Sequence, residues 1–268
     1  MSPPAIDLHG KTVVITGAGQ GLGAATARLL ASAGARLALL DREVRTLEQV
    51  AESISGSGSA PLVQACDISR ESDVEEAVIA VARHFGGCDG LVNNAGIVGF
   101  CPLESLELAE WNRLISVNLT GTFLCIRGFG RLMLERGSGS IVTVTSTAAT
   151  IPQSISGAYS ASKAGSLILT RQAAMEWGKR GIRANVVAPG AMWTPMTEPF
   201  QSDPDAVKRR SAIIASGRIA DPREMANVIA FLLSDLASYV NGANIDVDGG
   251  LRQMMLSLMP RPGVNEKK

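Results

Sequence analysis

The stretch KTVVITGAGQGLGAATARLL, residues 11–30, switches its hydrophobic period halfway along. Residues 11–16 are a short, β-branched apolar run of the kind that forms a strand buried on both faces. TGAGQGLG (16–23) is a glycine-rich turn, and the alanine- and leucine-rich segment after it has helical spacing. Strand, glycine turn and helix in that order build a cradle for phosphate. Gly17, Gly21 and Gly23 let the backbone approach a diphosphate. The helix N-terminus just beyond Gln20 presents free N–H groups and the positive end of its dipole. The G-x-G-x-x-G spacing does not fit cleanly from Gly17, so the weight rests on context. Asp41 closes the next apolar run, 20 residues after Gly21, where a carboxylate grips the hydroxyls of an adenosine ribose. The same carboxylate faces the additional phosphate of NADP. At about 5 Å and an effective dielectric of about 20 that repulsion is roughly 3 kcal/mol, on the order of 100-fold in affinity. Arg42 opposes it, since a guanidinium pairs with phosphate, but Asp41 competes for that guanidinium. The expected cofactor is NAD.

Outward from this unit, apolar runs alternate with helical patterns. Strands are expected at 35–40, 61–65, 88–94, 140–146, 182–188 and 242–248. Helices are expected from the low forties to 54, and at 71–85, 106–135, 159–180 and 221–235. Near-continuous apolar strands alternating with helices imply an α/β fold, a doubly wound parallel sheet of about seven strands with helices on both faces. Ligands then sit at the carboxyl ends of the strands. SGSGSA (55–60) is too short and local to be a linker, so a single Rossmann-like domain over 1–268 is expected, with its core at about 8–250. The span 189–220 carries Pro189, Pro195, Pro199 and Pro204. It reads as an irregular substrate lid, with 251–268 as a C-terminal tail.

Composition excludes several classes. Hydrophobic residues make up 46% and charged residues 19%, enough for a large core. With 25 basic and 25 acidic residues the net charge is +0, which gives no support for nucleic acid or an acidic membrane surface as partner. The start lacks a signal-peptide pattern and no apolar run reaches membrane-span length, so a soluble, cytoplasmic protein is expected. Cys66, Cys88, Cys101 and Cys125 form no C-x-x-C pair and read as buried small hydrophobes. His9 and His84 alone cannot furnish a catalytic zinc or a Ser-His-Asp triad.

YSASK (159–163) places one of only two tyrosines four residues before a lysine, and on a helix such residues share a face. Taken with TGAGQGLG (16–23), NNAG (93–96), Asn118 in VNLTGTF, Ser146 in VTVTS and PGAMWT (189–194), it completes a set of motifs in fixed order. The chain thereby resembles the single-domain short-chain dehydrogenases/reductases, over about residues 8 to 250.

The resemblance implies that Tyr159 is the general acid/base. A free phenol has a pKa of about 10; the Lys163 ammonium and an oxidised nicotinamide would lower it. Lys163 would also bond the nicotinamide ribose, Ser146 would hold and polarise the substrate oxygen, and Asn118 would position a water leading from Lys163 to solvent. Taken singly, Ser146 reads as a strand-end cap and Asn118 as a helix-interior amide bonding to backbone. For the cofactor, the resemblance implies Leu22 at the diphosphate, Asp67 and Ile68 around the adenine, and Asn94 along the ribose. Met192 and Thr194 would lie by the carboxamide and diphosphate. It also implies a homotetramer, packed through the helices that carry Phe123, Leu124, Leu167 and Ile168. Positions expected to face substrate are Ile97, Val98, Thr147, Ala148, Ile151, Ile155, Trp193 and Phe200. Most are apolar and no Arg or Lys stands near these motifs, which points to a neutral secondary alcohol or ketone. Two alternatives remain beside this reading: an NADP-dependent ketone or 3-oxoacyl reductase, and a dinucleotide-binding regulator without chemistry. A regulator would be expected to lack part of the Asn-Ser-Tyr-Lys set, and this chain lacks none.

Overall fold

The computed structural model describes residues 6–56, 59–200 and 202–258. Strand β1 (Thr12–Thr16) is buried along its whole length. Beside it lie β2 (Arg36–Asp41) and β3 (Leu62–Ala65) on one side, and β4 (Gly90–Asn93), β5 (Gly139–Val144), β6 (Ile182–Pro189) and β7 (Asn244–Val247) on the other. All pair in parallel, in the order β3-β2-β1-β4-β5-β6-β7. The order reverses between β1 and β4, so the connections leave those strand ends in opposite directions and open a crevice.

Alternate residues feed two cores, one on each face of the sheet. Val13 and Ile15 of β1 pack with Leu30 of α1 (Gly21–Ser32), Val50 of α2 (Val44–Ile54) and Ile229 of a C-terminal helix (Pro222–Leu233). Val14 faces the other way, towards Val81 of α3 (Glu71–Phe85), Phe129 and Ala174. The last two belong to long helices at Thr122–Arg136 and Tyr159–Trp177.

Two expectations need correction. The helix expected over 106–135 is broken into α4 (Leu108–Ile115), a π-turn (Ser116–Gly121) and α5 (Thr122–Arg136). A Cβ on Gly121 would stand 2.7 Å from Ile68 Cδ1, so this glycine seats the π-turn against the β3–α3 connection. The span 189–220 is less irregular than its prolines suggest. After α6 (Tyr159–Trp177) and β6 come a 3-10 segment (Pro195–Phe200) and α7 (Pro204–Ala212), ahead of α8 (Pro222–Leu233). Pro204 opens α7 behind the Asp203 cap, the one helical position where proline's missing N–H costs nothing. Met192 bridges to Ala220, closing the span back on itself. No described helix is long and apolar enough to cross a membrane. Of the expected tail, residues 251–258 form a 3-10 segment, and 259–268 lie outside the described residues.

Candidate active site

At the mouth of β1 the glycine loop is shaped by what its residues lack. Gly17 (φ 64°) and Gly21 (φ 54°) adopt left-handed conformations, which cost a side chain dearly. A Cβ on Gly23 would stand 2.0 Å from the Gly17 carbonyl oxygen, so α1 meets the loop backbone-to-backbone. Gln20, the N-cap of α1, makes no side-chain cap hydrogen bond and the first turn holds no acid. The N–H groups there keep their positive field.

Asp41 ends β2 and faces the loop. Its Oδ2 accepts from Gly19 N at 3.1 Å and its Oδ1 from Arg42 N at 2.7 Å. Asp67 accepts from the backbone and hydroxyl of Ser69 at 3.0 and 2.7 Å, and Arg42 Nη1 lies 4.0 Å from its Oδ2. Partial burial works against the Asp67 carboxylate, but the Ser69 bonds and the Arg42 guanidinium outweigh it and hold its pKa below the usual value. Asn94 braces the loop from the other side. Its Nδ2 donates to the carbonyls of Thr16 and Gly17 at 3.0 and 2.9 Å.

The second cluster lies past β4 and β5. Ser146 follows β5 and accepts from Ala148 N at 3.1 Å, so it does cap a strand end. Its hydroxyl also acts on the Tyr159 phenol, favouring the ionised form. Tyr159 opens α6 and Lys163 follows one turn later. Lys163 is 6% exposed; its Nζ donates to the Val144 carbonyl at 3.1 Å and lies 5.9 Å from the Tyr159 ring centroid. Burial pulls the ammonium's pKa down to about 8. The Lys163 ammonium, turned to Val144, does not by itself acidify the phenol. Burial raises the phenol's pKa, and the Ser146 side chain offsets only part of the rise.

Asn118 sits in the π-turn, 1% exposed. Its Oδ1 accepts from Ile97 N at 2.8 Å, while Nδ2 donates to the Ile97 carbonyl at 2.9 Å and to Ser162 Oγ at 3.0 Å. A Cβ on Gly96 would stand 3.1 Å from Lys163 Nζ and 3.2 Å from Asn118 Oδ1, so both side chains converge on that bare backbone.

One cavity of about 520 Å³ joins the two clusters. Gly17, Gln20, Gly21, Leu22, Asp41, Asp67, Ile68, Asn94, Tyr159, Lys163, Met192 and Thr194 all line it. Gly23, Ser146 and Asn118 are adjacent to these residues but not part of the lining. Of the positions expected to face substrate, Ile97 and Val98 line the cavity. Thr147 and Ala148 are buried, Ile155 and Trp193 are exposed, and the side chain of Phe200 lies outside the described residues.

The cavity also holds an arginine that the sequence reading overlooked. Arg113 reaches it from α4, clasped by Glu110 through bonds of 2.7 and 2.8 Å. It stands four residues before the lining residue Val117, a helical spacing that signals a shared face. Cys66 lines the cavity too, but burial pushes its thiol up to about 12, which rules out a thiolate nucleophile near neutral pH. Among the described residues no group of three or more His, Cys, Asp or Glu could hold a metal ion.

Comparison with known proteins places this arrangement. Residues 17–252 match a family model described as enoyl-(acyl carrier protein) reductase. D-threitol dehydrogenase of Mycolicibacterium smegmatis is 40% identical over 91% of this chain and 93% of its own. Levodione reductase of Leifsonia aquatica is 40% identical over 93% of this chain and 97% of its own. A gluconate 5-dehydrogenase of Burkholderia cenocepacia, solved in complex with NADP and tartrate, superposes with a TM-score of 0.88 at 31% identity, covering 92% of this chain and 97% of that one. With the glycine cradle, the tyrosine–lysine helix and these relatives in agreement, the chain belongs to the short-chain dehydrogenase/reductase family of oxidoreductases.

Proposed function

We propose that the protein is an NAD-dependent oxidoreductase that interconverts a neutral secondary alcohol and its ketone, with Tyr159 as general acid/base. The observation that carries the reading is that Tyr159 and the buried Lys163, one helical turn apart, line the same cavity as the Asp41 carboxylate. The cradle suits a dinucleotide: side chains are missing where a diphosphate must approach, the α1 N–H field is free, and a carboxylate stands at the ribose end. Gly17, Gln20, Gly21, Leu22 and Thr194 would hold the diphosphate, Asp41 the adenosine ribose, Asp67 and Ile68 the adenine, and Asn94, Met192 and Lys163 the nicotinamide end. When bound, the dinucleotide supplies the hydride for ketone reduction and accepts it in the reverse direction.

The chain's own residues manage the proton. Ser146 orients the substrate oxygen towards Tyr159 Oη, which donates its proton as the oxygen becomes an alcohol. Burial keeps the phenol protonated near neutral pH, the state an acid needs. Lys163 Nζ stands ready to restore charge balance as the phenolate forms, and Asn118 keeps the Gly96–Ile97 backbone in place beneath it. The names of D-threitol dehydrogenase and levodione reductase support an alcohol or ketone as substrate. Arg113, clasped by Glu110, leaves little free positive charge to favour an anion. A second reading, NADP dependence, is favoured by Arg42 at the cavity wall and by the NADP in the gluconate 5-dehydrogenase structure.

The chemistry is tested by Tyr159→Phe, which keeps the ring. NADH binding should stay within about threefold while turnover falls roughly 100-fold or more. Turnover near wild type would remove the proposed acid.

For cofactor choice, wild-type kcat/KM should favour NAD over NADP by at least about tenfold. Asp41→Ser should erase that preference. It also removes the acceptor of Gly19 N, so NAD use should weaken as NADP use improves. A wild type that uses both equally would hand the pocket to Arg42.

Lys163 makes a prediction about stability. Its folded pKa is depressed to about 8 from an ordinary value of about 10.4. Above about pH 8 the unfolded chain therefore binds more protons than the folded one, and stability rises with pH until the free lysine also titrates. Below that window the burial penalty is present in full. Lys163→Met should raise Tm at pH 7 by several degrees and lose turnover, with the gain in Tm shrinking by pH 10. A lower Tm at pH 7 would contradict the penalty.

Assembly follows the exposed apolar residues. Leu124 and Leu167 are buried within the chain, whereas Phe123 and Ile168 are 42% and 59% exposed on α5 and α6. These surfaces support a homotetramer. Sedimentation at micromolar concentration should give the mass of four chains; a monomer would refute it.

A further inference from the structure

The π-turn raises a question of register. Inside it, the Asn118 carbonyl accepts from two hydroxyls: Thr122 Oγ1 at 2.7 Å and Ser166 Oγ, from the neighbouring helix α6, at 2.8 Å. The Asn118 side chain is met by α6 as well. Ser162 Oγ accepts from Asn118 Nδ2 at 3.0 Å and donates to the Tyr159 carbonyl at 2.7 Å, one turn back along its own helix. One hydroxyl thus donates its single proton to the backbone of the tyrosine and accepts a hydrogen bond from the asparagine. Ser162 is 0% exposed and Ser166 1%.

The helix face is built for this approach. Ser162, Gly165 and Ser166 follow helical spacing and carry small side chains. A Cβ on Gly165 would stand 2.9 Å from Leu119 Cδ2, so α6 and the π-turn are already in contact.

Resting on the dehydrogenase reading above, we propose that Ser162 is a positioning residue for the reaction. Its hydroxyl ties the Asn118 amide to the Tyr159 backbone and fixes the register of the tyrosine–lysine helix against the π-turn. It touches neither substrate nor dinucleotide. Its effect runs through Tyr159 on one side, and on the other through Asn118 and the Ile97 backbone that Asn118 holds.

The test compares Ser162→Ala with Thr170→Val. Thr170 lies on the same helix, is equally buried and bonds Thr143 Oγ1 and the Ser166 carbonyl at 2.8 Å each, two turns further from Tyr159. Both variants should lower Tm by a few degrees. Ser162→Ala should also lower kcat by about 10- to 100-fold, the scale of a reacting group slightly misplaced, with KM for NADH within about twofold of wild type. Thr170→Val should keep wild-type kcat. Should Ser162→Ala not fold, Ser162→Cys, which fills the site with a slightly larger atom and weakens both the donor and the acceptor, should give the same split. Wild-type kcat in a folded Ser162 variant overturns the proposal, as does an equal loss of kcat in Thr170→Val. A wild type that turns over no ketone ends both this inference and the reading beneath it. A Tyr159→Phe variant that is dead beside a fully active Ser162→Ala ends this inference alone.

Discussion

A lysine ammonium buried to 6% exposure, with the Val144 carbonyl as its hydrogen-bond acceptor, is the constraint on which the rest of the site depends. Burying a charge with so little compensation is expensive, and the depressed pKa of Lys163 records that cost. Several features make the burial possible. β5 brings the Val144 carbonyl to its carboxyl end, α6 carries Lys163 one turn after Tyr159, and Gly96 leaves the room a side chain would fill. In the proposed mechanism the site's chemical usefulness and its energetic cost come from the same residue, a common trade in binding and catalytic centres.

The dinucleotide end is governed by contact between backbones. Gly23 allows α1 to sit on the Gly17 carbonyl, Asn94 bonds that same carbonyl, and Asp41 takes the Gly19 N–H. Asp41 therefore has two duties. Its charge would meet the ribose of a bound dinucleotide, and it pins the loop that would hold the diphosphate. A substitution meant to alter cofactor choice also loosens the cradle, so selectivity and affinity are coupled through one carboxylate. Arg42 is divided in the same way, since Asp67 already stands 4.0 Å from its guanidinium.

Much of this was legible in the sequence, for a physical reason. Parallel strands covered on both faces read as unbroken apolar runs, so all seven strands fall within two residues of their expected ends. α3 matches its expected span of 71–85 at both ends, with acids in its first turn and Gly86 in a left-handed cap after its last. Twelve of the expected cofactor positions line one cavity because motif residues at strand ends are gathered by topology. What escaped was tertiary. The π-turn has no local signature, since Ser116 to Gly121 would serve equally well in a plain helix. Pro195, Pro199 and Pro204 were read as breakers although Pro204 begins a helix. The Tyr159 phenol was expected to be acidified by Lys163, but sequence spacing cannot show that the ammonium is turned to Val144 and that burial dominates.

α6 shows why periodicity alone could not find the packing around Asn118. An amphipathic helix normally announces its buried face with an apolar stripe. Here the buried residues include Ser160, Ser162, Lys163, Ser166 and Thr170, alongside Leu167 and two alanines. These polar groups are tolerated inside because each hydroxyl finds a partner on an adjacent element or one turn back: Ser156, Asn118, Thr143, and the carbonyls of Tyr159 and Ser162. A buried network that is fully satisfied fixes one arrangement more sharply than apolar packing does, because sliding by a residue would strand several donors at once. The helix that must hold Tyr159 and Lys163 in fixed register is thus the helix whose interior face is polar.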